Sequence, residues 1–313
     1  MASPTLRMAP ADWPLIVLLA AIWGGSFIFI ELALSGFRPF TLVAIRLAIG
    51  STLLVVWLVA SGRFPRLTRE RCRALLVMGL TNNAVPFSLL TWSQTELGAG
   101  LASIFNAMTP LFTILVAHLW TSDDRMSPAR LVALITGFAG VVVLMGGESL
   151  SELGSNLWAQ LIALSSSLFY AIAGVYGRRV ARLGLAPDAA AAGQCFAAFL
   201  IMTPLALVID RPWTLAAPGW VAWGGLVSLA VLSTSFGYLI FYKVLARSGA
   251  TNAALVTFLV PISAILLATS FLGERMSETQ FAGMALIFAG LAVADGRIIA
   301  RFASVLRRPK LPS

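Results

Sequence analysis

The sequence predicts an all-α membrane protein: ten transmembrane helices arranged as two inverted five-helix repeats, with both termini cytoplasmic. Three observations carry this. Of 313 residues, 59% are hydrophobic and only 11% charged, and the mean hydropathy is +0.89. Soluble domains carry about 25% charged residues, so this chain could not clothe a water-facing surface. Its apolar runs have the length of about 20 residues that a helix needs to cross a bilayer. The second half of the chain echoes the first at a near-constant offset.

The spans fall at about 14–33, 40–60, 73–92, 99–119, 128–146, 157–176, 188–209, 219–241, 250–271 and 278–296. The first run, from Pro14, is long enough to stay as a helix rather than be cleaved as a leader. The others are too long for barrel strands and lack strict alternation. Short loops hold most of the basic residues. With ten spans, 18 Lys and Arg fall on the side of the termini and 3 (Arg38, Arg211, Arg275) on the other. Basic loops stay in the cytoplasm. Arg46 is left over, inside span 2. The tail after Arg297 is basic with interleaved apolar residues, which fits either an interfacial segment on anionic lipid or a solvated end.

Arg125-Met126-Ser127 returns as Arg275-Met276-Ser277, and each is followed thirteen residues on by Phe-Ala-Gly. The echo extends. Gly98-Ala99 matches Gly249-Ala250, Pro110 matches Pro261, Phe87 matches Tyr238, and Arg46 matches Gln194 at a slightly shorter offset. Units 1–147 and 148–296 therefore read as repeats, with 297–313 as a basic cytoplasmic tail. Five spans per repeat force opposite orientations. Loop charge agrees: the loop with Arg63, Arg66, Arg69, Arg71 and Arg73 corresponds to one holding only Arg211. Inverted repeats are an architecture of secondary transporters, with a midplane site between them.

The sequence WGGSFIF at 23–29, the Pro110 and Pro261 helices, GERMS at 273–277 and the two Phe-Ala-Gly helices together resemble the drug/metabolite transporter superfamily, of the ten-helix EamA type. The first-repeat DDRMS departs from the GER form. Within that superfamily the chain looks most like bacterial exporters of amino acids, aromatic ones included. The resemblance covers about residues 14–296. It implies export from the inner membrane, a central cavity lined by spans 1–4 and 6–9, and peripheral spans 5 and 10.

Polar groups inside a bilayer are costly, so those at mid-depth point to function. Asn83, Phe87 and Thr91 share one helical face of span 3, beside Asn82; Thr234, Tyr238 and Tyr242 do the same in span 8. Such stripes fit a cavity wall, since a ring offers an apolar surface and Tyr or Asn adds a hydrogen bond. They equally fit hydrogen bonds that hold helices together. Span 4 adds Ser103 and Asn106. Trp23, with Gly24 and Gly25, could cap a substrate or pack; Tyr170 holds its place in span 6. Arg46 could meet a substrate carboxylate, bond to a carbonyl or to Glu31, or snorkel outward. Gln194 is its uncharged counterpart. Pro86, Pro110, Gly237 and Pro261 are candidate hinges, because proline frees a carbonyl and bends a helix; a kink fixed by packing is the alternative. The repeated Phe-Ala-Gly tracts read as packing.

The acids Glu31, Glu96, Glu148, Glu274 and Asp295 fall at span ends or in loops. A mid-membrane carboxylate is the usual device for proton exchange or cation binding. A zwitterionic or neutral metabolite, carried without carboxylate-based proton exchange, is the expectation. The alternative substrates are a nucleobase, a nucleoside or a drug-like metabolite. Catalytic motifs such as His-Glu-x-x-His and Gly-x-Ser-x-Gly do not occur, so no enzyme, cofactor or metal site is expected. A channel fits poorly without charged rings or a filter motif. Lipid is a partner, nucleic acid is not, and a monomer is admitted.

Overall fold

The computed structural model describes residues 12–121, 126–146, 156–249, 253 and 255–295. The expected tail at 297–313, Asp123 to Arg125 of the first-repeat motif, and Glu148 lie outside these residues. The described residues form helices and no strands. In order they are α1 (Trp13–Leu34), α2 (Pro39–Ala60), α3 (Arg69–Ser93), α4 (Ala99–Trp120), α5 (Pro128–Gly146), α6 (Asn156–Arg182), α7 (Pro187–Leu205), α8 (Trp220–Ser248), α9 (Val256–Leu272) and α10 (Glu278–Asp295). Helices α1 to α8 include stretches long and apolar enough to cross a membrane, and the apolar stretches of α9 and α10 are shorter. Outward faces carry large apolar side chains such as Val142, Val208, Phe271 and Trp220. Water would not tolerate such a surface, whereas lipid would.

Equivalent helices meet, and so do equivalent pairs. Helix α2 packs on α7 and α5 on α10; α1 packs on α8 and α9, as α6 does on α3 and α4. Helices α2 and α7 run antiparallel and are tied at both ends. Arg63 pairs with Asp188 at 3.1 Å near one end. At the other, Asp210 accepts from the Thr41 amide at 2.6 Å and from its hydroxyl at 2.9 Å. This carboxylate satisfies an amide that the start of α2 would otherwise leave open. Between these ties α7 presents Ala189, Ala191, Ala192 and Ala198, all buried, which lets the backbones come close.

The repeated motif is now accounted for. Ser127 and Ser277 are N-caps: the amides of Arg130 and Gln280 donate to their hydroxyls at 3.3 Å. Gln280 answers by accepting from the Ser277 amide at 3.0 Å, a reciprocal capping box. The glycines set the α5–α10 contact. A Cβ on Gly140 would stand 2.7 Å from the Gly283 carbonyl, one on Gly283 would stand 2.7 Å from the Gly140 carbonyl, and one on Gly290 would stand 2.7 Å from that of Ala133. These positions make the pair antiparallel and allow nothing larger than hydrogen between the two backbones.

Four helices lose their α-helical regularity near an end or in mid-course. π turns occupy Gly79–Ala84 in α3, Ala206–Asp210 after α7, Leu229–Phe236 in α8 and Ala268–Leu272 in α9. The turns in α3 and α8 occupy equivalent places in the two halves. In α3 the cause is Pro86, which has no amide to give the Asn82 carbonyl. Helix α8 has no proline there. Instead the Thr234 and Ser235 hydroxyls bond carbonyls five residues back, at 3.2 and 3.1 Å. Helix α4 breaks outright at Ala107–Met108 and restarts with Pro110 in its first turn. Pro261 sits inside an unbroken helical run, Val256–Leu267.

Candidate functional site

The paired π turns carry the polar groups of the site. Asn82 and Asn83 lie in the first, Ser233 and Thr234 in the second. Each turn docks on the second helix of the other half through a glycine. A Cβ on Gly50 of α2 would reach the Thr234 methyl at 2.8 Å, and one on Gly79 would stand 2.7 Å from the Gln194 carbonyl of α7. Gly50 lies four residues after Arg46, on the same face of α2. The Ser235 hydroxyl spans this contact, with its one proton shared between the Ala230 carbonyl at 3.1 Å and the Gly50 carbonyl at 3.2 Å.

Arg46 is 6% exposed. Its Nε donates to the Thr234 hydroxyl at 2.9 Å, and that hydroxyl donates onward to the Leu229 carbonyl. The guanidinium lies 3.7 Å over the Phe87 ring, a cation–π geometry. Phe87 in turn faces Tyr170 at 6.4 Å between centroids. Asn83, fully buried, donates to the Tyr238 hydroxyl at 3.0 Å and lies 3.7 Å from the Cys195 sulfur. Asn82 donates to Gln194 Oε1 at 3.3 Å. Tyr238 and Tyr242 stack at 6.1 Å. Thus Arg46, Asn82, Asn83, Phe87, Tyr170, Gln194, Tyr238 and Tyr242 form one cluster drawn from both halves, with Arg46, Asn83, Phe87 and Gln194 buried and the other four partly so.

Trp23 joins it at the rim. Its indole N–H donates to the Ser233 carbonyl at 3.1 Å, and its ring meets Phe241, which meets Tyr242, each at 5.4 Å. Gly237 makes the seat: a Cβ there would fall 2.5 Å from the indole nitrogen. Three other candidates make no hydrogen bond to the cluster among the described residues. Thr91 is buried, with no hydrogen-bond partner for its hydroxyl among the described residues. Ser103 returns its hydroxyl to the Gly100 carbonyl of its own helix at 2.6 Å. Asn106 keeps a buried Oδ1 without a partner among the described residues, at the break in α4. Sequence reasoning passed over Cys195, Phe241 and Gly50. Only Gly50 left a trace, a glycine one turn after a membrane arginine.

A separate cavity of about 470 Å³ opens at the adjoining ends of α1, α2 and α3, lined by Glu31, Phe37, Arg38, Gln94 and Thr95 among others. Arg38 precedes Arg46 by eight residues, about 12 Å along a helix. Nearby, Glu274 of the GERMS motif accepts from the Ala99 and Gly100 amides at 2.7 and 3.0 Å. It caps α4 from the opposite half.

The chemistry of the cluster is that of recognition. It offers amide and hydroxyl groups, aromatic walls and one fixed cation. The sequence matches the EamA-like transporter family over residues 13–146 and again over 157–294. The chain belongs to the EamA-like transporter family. It is a multi-pass membrane protein, and its family is one of transporters. It is 28% identical to the uncharacterized transporter YvbV of Bacillus subtilis, covering 93% of this chain and 94% of that one. To the uncharacterized inner membrane transporter YedA of Escherichia coli it is 27% identical, with 90% of each chain covered. A probable terminal-alkyne amino-acid exporter of Streptantibioticus cattleyicolor is 26% identical over 95% of this chain and 97% of its own. A solved crystal structure has the same fold, at a TM-score of 0.66 and 19% identity, covering 95% of this chain and 99% of that one.

Proposed function

We propose that this EamA-family transporter is a secondary exporter in a bacterial inner membrane. It carries small metabolites, foremost amino acids with aromatic ones included, by alternating access around the Arg46–Tyr238 cluster. The observation that carries the proposal is the pair of equivalent π turns, which bring neutral polar groups from both halves together, with Phe87 and Tyr238 on the helical turns that follow them. A metabolite seated there would touch α2, α3, α7 and α8 at once, so a relative movement of the halves would change its surroundings. The antiparallel runs of α2 against α7 and of α5 against α10 support two inverted repeats, 1–147 and 148–296, and the bias of basic loops supports cytoplasmic termini. The amino-acid assignment draws support from the relative named as a probable terminal-alkyne amino-acid exporter.

Counterflow in proteoliposomes tests this. Labelled threonine, methionine or tryptophan should exchange in a protein-dependent manner. Flux of a nucleobase or nucleoside with none of these amino acids would favour the alternative cargo and sink the first. Orientation has its own test, in a background without Cys72 and Cys195. Cysteines placed at Ser122 and Ser277 should label from opposite sides; labelling from one side would rule out the inversion.

A further inference from the structure

We infer that Arg46 is the anchor for a carboxylate on the transported solute, and that an ammonium group on that solute is dispensable. This inference rests on the transport function proposed above and narrows its substrate class. Three observations place the anchor. First, Arg46 is nearly inaccessible, yet among the described residues no carboxylate lies within ion-pair distance of it. A cation kept inside a membrane protein without a counter-charge is costly unless function requires it. Second, the surroundings hold the guanidinium in place without neutralising it. Phe87 covers one face, and the Thr234 hydroxyl takes Nε. That leaves the edge formed by the two terminal nitrogens with no hydrogen-bond acceptor in the described structure, and it is this edge that grips a carboxylate with two parallel bonds. Third, Gly50 and Ser235 lock the Thr234 turn against α2, so the guanidinium is oriented before any solute arrives and little ordering remains to be done on binding.

Among the described residues, the cluster has no carboxylate to pair with an ammonium. Its members besides Arg46 are Asn82, Asn83, Gln194, Phe87, Tyr170, Tyr238 and Tyr242, all uncharged. The buried Asn83 Oδ1, which has no partner among the described residues, is a neutral acceptor that serves a hydroxyl or an amide as well as an amine. An amino acid would thus be held by its carboxylate and its side chain. Removing the α-amine should cost little, while neutralising the carboxylate should abolish recognition.

The test uses the full chain, purified in detergent for thermal-shift binding and reconstituted for competition against counterflow. The probes are phenylalanine, 3-phenylpropionate and phenylalaninamide, with leucine, 4-methylpentanoate and leucinamide as a second series. The expected result is that amino acids and deaminated acids bind and compete within about tenfold of each other, and that both amides fail. Arg46→Gln should lose acid binding by about 30-fold or more, and Arg46→Lys should recover part of it, since lysine keeps the charge but not the fork. Amides binding as well as acids, or acid binding untouched in Arg46→Gln, would overturn the inference. If Arg46→Gln fails to fold, the acid-against-amide contrast in the wild-type chain decides alone. Protein-dependent counterflow of a neutral solute with no binding of any acid would overturn the carboxylate anchor while leaving the transport function standing. Absence of flux for every solute, with acids still bound, would do the reverse.

Discussion

Replacing Gly140 by alanine should loosen the α5–α10 pair without touching solute recognition. The new Cβ would stand 2.7 Å from the Gly283 carbonyl oxygen, 2.8 Å from the Ile287 amide nitrogen and 2.9 Å from Ile287 Cγ1. Two of those neighbours are backbone, so no side-chain rotation relieves them. The helices must part by roughly 0.7 Å to restore ordinary contact, and a gap of that size forfeits a quarter to a half of the dispersion energy between facing atoms. Overpacking of this kind costs about 1–3 kcal/mol. Alanine's better helix propensity returns up to about 1 kcal/mol, which leaves a net loss of about 1–2 kcal/mol. The contact is reciprocal, so Gly283→Ala should cost about the same. The double variant should cost less than the sum, because one separation makes room for both methyls. Apparent melting temperatures of the four proteins in one detergent measure this cycle. Single variants that melt at or above wild type, or costs that add in full, would refute the reasoning. Competition affinity should be unchanged, since α5 and α10 contribute nothing to the Arg46 cluster.

Other expectations follow from single contacts. Arg46→Met removes an uncompensated buried cation, so it should leave the melting temperature in detergent unchanged or raise it, by the equivalent of about 1 kcal/mol; a clear fall would mean that the Thr234 and Phe87 contacts outweigh the desolvation cost. Glu274→Ala strips the cap from the Ala99 and Gly100 amides and should destabilise by about 0.5–2 kcal/mol. Because the partners are amides, added salt should not reproduce that loss, and a thermal-shift series with and without salt checks both points. Gly237→Ala drives its methyl into the Trp23 indole. It should break the 3.1 Å bond to Ser233, at a cost of about 1 kcal/mol for the hydrogen bond alone, and should change the emission of Trp23 relative to a Trp23→Phe control.

The spans were legible because apolar length is a physical requirement of the bilayer, and each predicted span overlaps an observed helix. Their ends were less legible. Helix α6 runs to Arg182 and α8 to Ser248, beyond the apolar runs, because a helix continues through the polar interface where hydropathy no longer marks it. The π turns left almost no signal. A helix that is apolar on every side has no stripe whose shift would betray an extra residue, and only Pro86 hinted at one. The contacts were partly legible from polar residues at mid-depth: Asn83 bonds Tyr238, Asn82 bonds Gln194, and Arg46 bonds Thr234. Thr91 and Ser103 gave the same signal, and neither hydroxyl bonds to the cluster. A hydroxyl can return to its own helix, as Ser103 does, and sequence alone does not separate that case from a bond across helices.

The ties at both ends of α2 and α7 have a mechanical consequence. Two rods tied to each other near both ends resist shear and splay, and tilt together more readily than they part. Spin labels on this pair should therefore report one constant separation whichever way the protein faces, and would give a fixed reference length against which the travel of every other helix can be measured.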